Sequence, residues 1–184
     1  MEDTNSLNVL HFGGNMKQSD QSKQLIRDAL FALMEKKAFQ EITIKDIAEK
    51  AGIARLTFYR NFDSKEDIIR YHIQCGFMDF LHELRDTSNA DLREMISLCY
   101  RYWHLKRDEL ILLSNQKMEW LVREPFETYL HIILEQMGLK EKYTYFQIQF
   151  LIGGMLADML AWIKNPRGNT PEDMAEEIIQ LLKI

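Results

Sequence analysis

Cysteine, proline and glycine are scarce here: the 184 residues carry two, three and eight of them respectively. Two cysteines, Cys75 and Cys99, cannot build a disulfide framework, and nothing else points to an oxidising compartment. So few turn formers exclude a sandwich of short strands and point to helices. Residues 1–15 have neither a basic stretch nor an apolar core, so they are no signal peptide. This polar opening carries Gly13-Gly14, ends before a second methionine at 16, and is expected to be a disordered arm or a non-native extension. The longest apolar stretch, 146–163, is broken by Gln147, Gln149 and Asp158 and reads as too polar for a membrane span. There is no C-x-x-C, no H-E-x-x-H, no paired E-x-x-H, no phosphate-cradling glycine motif and no G-x-S-x-G. An enzyme, a metal centre and a resident cofactor are therefore not expected.

What is present describes a soluble cytoplasmic globule. Apolar residues make up 46% and charged residues 28% of a chain with net charge −5. A chain of this length can bury about 70% of its unfolded surface. Charge is uneven: residues 16–75 carry +2, residues 76–184 carry −5, and the first fifteen carry −2. A slightly basic front on an acidic body points weakly to a polyanion partner at the front.

Helical periodicity dominates. Leu25, Ala29, Leu30, Leu33 and Met34 share one stripe, which predicts a first amphipathic helix over about 20–37. Thr43, Ser64, Ser88 and Thr170 each precede an aspartate by three residues, which marks four helix starts. Asp in place of the usual Glu or Gln is expected to weaken the reciprocal bond, and Pro171 suits a first helical position. Further helices are predicted over about 64–85, 89–106, 110–121, 125–137, 143–164 and 171–183, with Pro125 opening one and Gly138 stopping it. The fold class is all-α with about nine helices.

The informative segment is 43–65, T-I-K-D-I-A-E-K-A-G-I-A-R-L-T-F-Y-R-N-F-D-S-K. A short helix turns Ile44, Ile47 and Ala48 inward, and Gly52 supplies a turn. Ile53, Phe58 and Phe62 then bury one side of a second short helix, whose other side carries Arg55, Thr57, Tyr59, Arg60 and Asn61. This is helix–turn–helix spacing, in which the second helix enters the major groove. Arg55 can fork onto guanine O6 and N7. The hydroxyls of Thr57 and Tyr59 suit phosphate oxygens, and Thr43 and Lys65 are expected to add backbone contacts. The partner implied is double-stranded DNA.

Residues 17–70 resemble the DNA-binding domain of the tetracycline-repressor (TetR) family of bacterial transcription regulators. The resemblance rests on T-I-K-D-I-A-E-K-A-G-I followed by T-F-Y-R-N-F-D-S-K-E-D. It implies a homodimer with a DNA-binding domain at 16–70 and a helical effector-binding and dimerisation domain at 71–184. It also implies that Thr43, Thr57, Tyr59 and Lys65 take phosphates while Arg55, Leu56 and Arg60 lie on the reading helix. Two residues depart from the family pattern: Ala54 replaces a common Ser cap, and Leu56 replaces a small residue, often Gly.

In the second part, residues 146–163 are apolar on more than one face, so one protomer's core cannot cover them all. Phe150, Gly153, Gly154, Met155, Met159 and Trp162, with Ile178 and Leu182 of the last helix, are expected to form a twofold four-helix interface. Tyr100, Trp103, His104, Met118, Phe126 and His131 combine aromatic walls with polar groups and are the candidate pocket for a small-molecule effector. His72, Cys75, Asp79 and His82 share a helix face, but a straight helix spreads them over about 15 Å, which argues against one metal ion. The expected function is a homodimeric, ligand-responsive repressor on a near-palindromic operator. The alternative is a co-regulator of the same fold that acts through a protein partner without its own operator.

Overall fold

The computed structural model describes residues 18–86, 92–136, 138 and 143–182. Nine α-helices and one 3-10 turn make up the described residues, with no strand among them. They are α1 (Gln18–Met34), the 3-10 turn (Phe39–Glu41), α2 (Ile44–Ala51), α3 (Arg55–Asn61), α4 (Lys65–Asp86), α5 (Leu92–Leu105), α6 (Arg107–Asn115), α7 (Trp120–Gln136), α8 (Tyr145–Lys164) and α9 (Pro171–Leu182).

The predicted caps form where they are described. Thr43 Oγ1 accepts from Asp46 N at 3.1 Å and Thr43 N donates to Asp46 Oδ2 at 2.8 Å. Ser64 with Asp67 and Thr170 with Asp173 close the same reciprocal boxes. The expected weakening by aspartate is thus corrected: the shorter acid reaches the backbone N–H at 2.8–3.0 Å in all three. A fourth box, Thr144 with Gln147, opens α8 and escaped the sequence reading. The Ser88 cap and the arm at 1–15 lie outside the described residues.

Two predicted boundaries are corrected. The helix expected at 110–121 is α6, which begins at Arg107 and ends at Asn115. Pro125 does not open a helix: it lies inside α7, which starts at Trp120. The first turn of α7 forms through short bonds, Leu121 N to Met118 O and Val122 N to Glu119 O, both 3.0 Å. Burial of Leu121, Val122 and Phe126 holds the helix through the proline, although its ring denies the Leu121 carbonyl an i+4 donor.

One connected apolar core runs from Ile26 in α1 to Ile179 in α9. The helix α8 is long and apolar enough to cross a membrane by composition, yet Ile148, Ile152, Leu156 and Ile163 are buried against the rest of the chain. Met155, Met159 and Trp162 are buried there too. That corrects their place in the expected interface, because side chains already enclosed by their own protomer present nothing to another. The opposite face of α8 is open: Tyr145, Phe146 and Phe150 are 66%, 80% and 74% exposed, and Gly153 and Gly154 lie exposed beside them. Ile178 is half-buried, and the side chain of Leu182 lies outside what is described.

Candidate nucleic-acid interface

The front of the molecule is built from α1, α2 and α3 resting on the start of α4. Ile47 and Ala48 of α2 and Phe58 of α3 are buried, and α2 packs against both α1 and α3. Gly52 ends α2 with φ +68°, a left-handed conformation that glycine adopts without a side-chain clash. Ile53 N then returns to Ala48 O at 3.0 Å and turns the chain toward α3. At the head of α3, Ala54 makes no side-chain cap.

Geometry sorts the seven expected DNA contacts. Arg55, Leu56, Tyr59 and Arg60 are exposed on one reach of α3, and Thr57 is half-buried. Leu56 is 62% exposed, an apolar side chain on a face otherwise made of cations and a phenol. Thr43 is exposed at the head of α2; its oxygen accepts the capping bond, which leaves its own O–H free to donate. Asn61 fastens the far end of α3 by donating to Thr57 O at 2.7 Å and accepting from Ser19 Oγ at 3.2 Å.

Lys65 is the correction. Its Nζ donates to Phe39 O at 2.5 Å and Ile42 O at 2.7 Å, lies 3.5 Å from Gln40 O, and sits 4.4 Å from the centre of the Phe39 ring. All three ammonium donors point at backbone carbonyls, so none remains for a phosphate. Burial lowers its pKa, while Glu66 pulls the other way. Lys65 is a clamp on the 3-10 turn.

Other supports of this front were not read from the sequence. Lys37 pairs with Asp46 at 2.8 Å and ties the 3-10 segment to the capping box of α2. Gln116, which caps the end of α6, accepts from Phe39 N at 2.9 Å and donates to Met34 O at 2.8 Å and to Lys37 O at 3.3 Å. No local signal announces such partners.

Of the expected effector residues, only Trp103 borders either of the two open volumes described below. Tyr100, Trp103, Met118 and Phe126 are buried in the core. Tyr100 donates to Asp158 Oδ2 at 2.5 Å. Trp103, Phe126 and Tyr129 pack around Phe77 at 4.7, 5.9 and 4.9 Å between ring centres. His104 is exposed beside Trp162, and His131 lies 3.5 Å from Gln149 Nε2. The aromatic spacing was therefore core, and that correction has a plain cause: filled space holds no ligand.

Open volume lies mainly along α1, α4 and α6. A cleft of about 670 Å³ runs between α1 and α6 over α4, lined by Arg27, Phe31, Glu35, His72, Lys106, Glu109 and neighbouring residues. A chamber of about 60 Å³ deeper along α4 shares Arg27, His72, Lys106 and Glu109 and adds Cys75, Asp79 and Trp103. Across this seam His72 Nε2 meets Glu109 Oε2 at 2.7 Å, a contact that lowers the Glu109 pKa. The face bearing His72, Cys75, Asp79 and His82 gathers no group of three metal-binding side chains among the described residues.

Comparison with known proteins finds a family match at the front of the chain. Residues 26–71 match the sequence model of the family described as "Bacterial regulatory proteins, tetR family". Over these residues the chain resembles the TetR family of transcriptional regulators. It is 23% identical over 172 residues to the HTH-type dhaKLM operon transcriptional activator DhaS of Lactococcus lactis subsp. lactis (strain IL1403), across 91% of this chain and 92% of that protein. It is 26% identical over 185 residues to an uncharacterized HTH-type transcriptional regulator, YxbF, of Bacillus subtilis (strain 168), across 91% of this chain but 47% of that protein. Among solved structures, Lin0861 of Listeria innocua superposes with a TM-score of 0.78 at 18% identity, over 94% of this chain and 96% of that one. The fatty acid degradation regulator FadR of Bacillus halodurans gives a TM-score of 0.62 at 19% identity, over 88% and 94%. At those identities the two structures support the fold. The helix–turn–helix of α2 and α3 lies within the residues that match the family model.

Proposed function

We propose that this chain is a TetR-family regulator, a cytoplasmic homodimer that binds a near-palindromic operator through α3, represses from it, and is released by a small-molecule effector. The observation that carries this reading is the exposed row Arg55, Leu56, Tyr59 and Arg60 on α3, a short helix held from behind by buried Phe58. In this reading Arg55 forks onto a guanine, Leu56 meets a thymine methyl, and Thr43, Thr57 and Tyr59 hold phosphates. Residues 16–70 act as the DNA-binding domain and 71–184 as the effector-binding and dimerisation domain. The open apolar face of α8 supports a second copy as its cover, with Phe146, Phe150, Gly153 and Gly154 at the contact. Two α3 helices then enter successive major grooves roughly 34–36 Å apart. The effector moves, in this reading, from the aromatic cluster to the α1–α4–α6 cleft, because that is where open volume lies.

Selection of bound duplexes from a random DNA library, followed by a salt titration of the winner, tests the proposal. A near-palindromic site with a steep negative salt slope is expected. If a folded dimer enriches no sequence at low salt, the operator reading is wrong and the protein acts through a protein partner. Position of the site relative to its promoter then separates repression from activation, the role that the name of the Lactococcus relative carries.

A further inference from the structure

The segment between α1 and α2 is held from two sides. Lys65, at the head of α4, donates to the carbonyls of Phe39 and Ile42. From the end of α6 Gln116 accepts from Phe39 N and donates to Met34 O and Lys37 O. The Phe39 ring is buried, so the residue is held at its N–H, its C=O and its side chain. Gln116 reaches across 77 positions of sequence to do this. It is presented by a turn that the chain forms without glycine: Lys117 has φ +58°, and Met118 N closes on Leu113 O at 2.8 Å. A backbone conformation that disfavours L side chains is thus maintained at the position that aims Gln116.

We propose that Gln116 is a positioning residue for DNA recognition: it locks the angle between the helix–turn–helix and the helical body, and so sets which half-site spacing the dimer accepts. This rests on the reading above of a dimer on a near-palindromic site. Without the lock, the front remains joined to the body through α4 and can swivel on it, which relaxes spacing while leaving the α3 reading face intact. Gln116 also delivers any displacement of the carboxy end of α6 to the Phe39 peptide, two residues from the Asp46–Lys37 pair and four from the cap of α2.

The test uses the full-length protein with the selected duplex and duplexes carrying one base pair more or fewer between half-sites. The variants are Gln116→Leu, which removes all three bonds at similar volume, and Gln116→Glu, which keeps the acceptor and loses both donations. The wild type is expected to bind the altered spacings weakly. Gln116→Leu should cut that spacing penalty by about tenfold, the scale of one or two net hydrogen bonds, with base preference inside each half-site unchanged. Gln116→Glu should relax it too, and hydrogen exchange at the Phe39 amide should quicken in Gln116→Leu. A spacing penalty equal to wild type in both variants overturns the proposal. So does a uniform loss of binding at every spacing, which is what a merely structural role produces. Should Gln116→Leu fail to fold, Gln116→Glu decides by the same two criteria. A wild type that selects no paired half-sites overturns the dimer reading first and this inference with it.

Discussion

Replacing Gly153 and Gly154 together with alanine has opposite consequences for a lone chain and for a dimer. A Cβ built at either position meets nothing within 4 Å in the protomer. In an isolated chain the double change therefore removes two mid-helix glycines at no steric cost, and each is worth about 1 kcal/mol of helix stability. Unfolding of a domain this size should then rise by roughly 4–8 °C. If a second copy lies against this face, the two methyl groups enter a close helix contact, where overpacking costs about 1–3 kcal/mol. The dimer dissociation constant should rise roughly 5- to 150-fold. Sedimentation equilibrium across a dilution series, with thermal melts at the same concentrations, reads both quantities. We expect a weaker dimer whose dissociated chain melts higher than wild type. A variant that melts higher and dimerises as tightly as wild type refutes the reasoning: no partner helix then approaches the glycines, and Phe146 and Phe150 are covered some other way or not at all.

Further outcomes follow from single contacts. Arg55→Ala should relax preference at one base position and weaken the selected duplex by about 1–3 kcal/mol; an unchanged base preference in a repeated selection would remove Arg55 from the reading role. Tyr100→Phe deletes the hydroxyl that donates to Asp158 and should destabilise by about 1–3 kcal/mol, since the half-buried carboxylate loses its partner; urea unfolding without a shift in midpoint would contradict this. The Lys37 ammonium, with the Thr43 N–H, holds the Asp46 carboxyl well below the usual carboxylate range. A depressed pKa of this kind stabilises the fold above pH about 4 and the contribution fades as pH falls below that value. Asp46→Asn should therefore differ from wild type most near neutral pH, and the difference should shrink steadily as pH falls below about 4 in thermal melts.

Much of the recognition element was legible in residues 43–65. A capping hydroxyl three residues before an acid, a glycine four residues after a small alanine, and aromatics at helical spacing each describe events within one or two turns. Such events recur wherever the local sequence does. The same reach explains the failures. Lys65 looked like a phosphate ligand because its place in the motif said so, but its ammonium is taken by carbonyls 23 to 26 positions earlier. Tyr100, Trp103 and Phe126 had the composition of a ligand wall and became core because Phe77, on another helix, fills the space between two of them. The open face of α8 was half legible: the excess of apolar residues was plain, but not which of them the protomer keeps for itself.

Local chemistry thus settled that the chain is helical, where most helices begin, and that a helix–turn–helix occupies the front, because capping, periodicity and left-handed glycine turns act over a few bonds. Packing settled the rest. Whether an aromatic lines a cavity or plugs it, whether a lysine faces solvent or a carbonyl, and which residue of α6 grips the start of the DNA-binding element all depend on groups brought together from distant parts of the chain. Gln116 is the clearest case. Nothing in its neighbours marks it, and its role exists only once the end of α6 lies against residues 34–39.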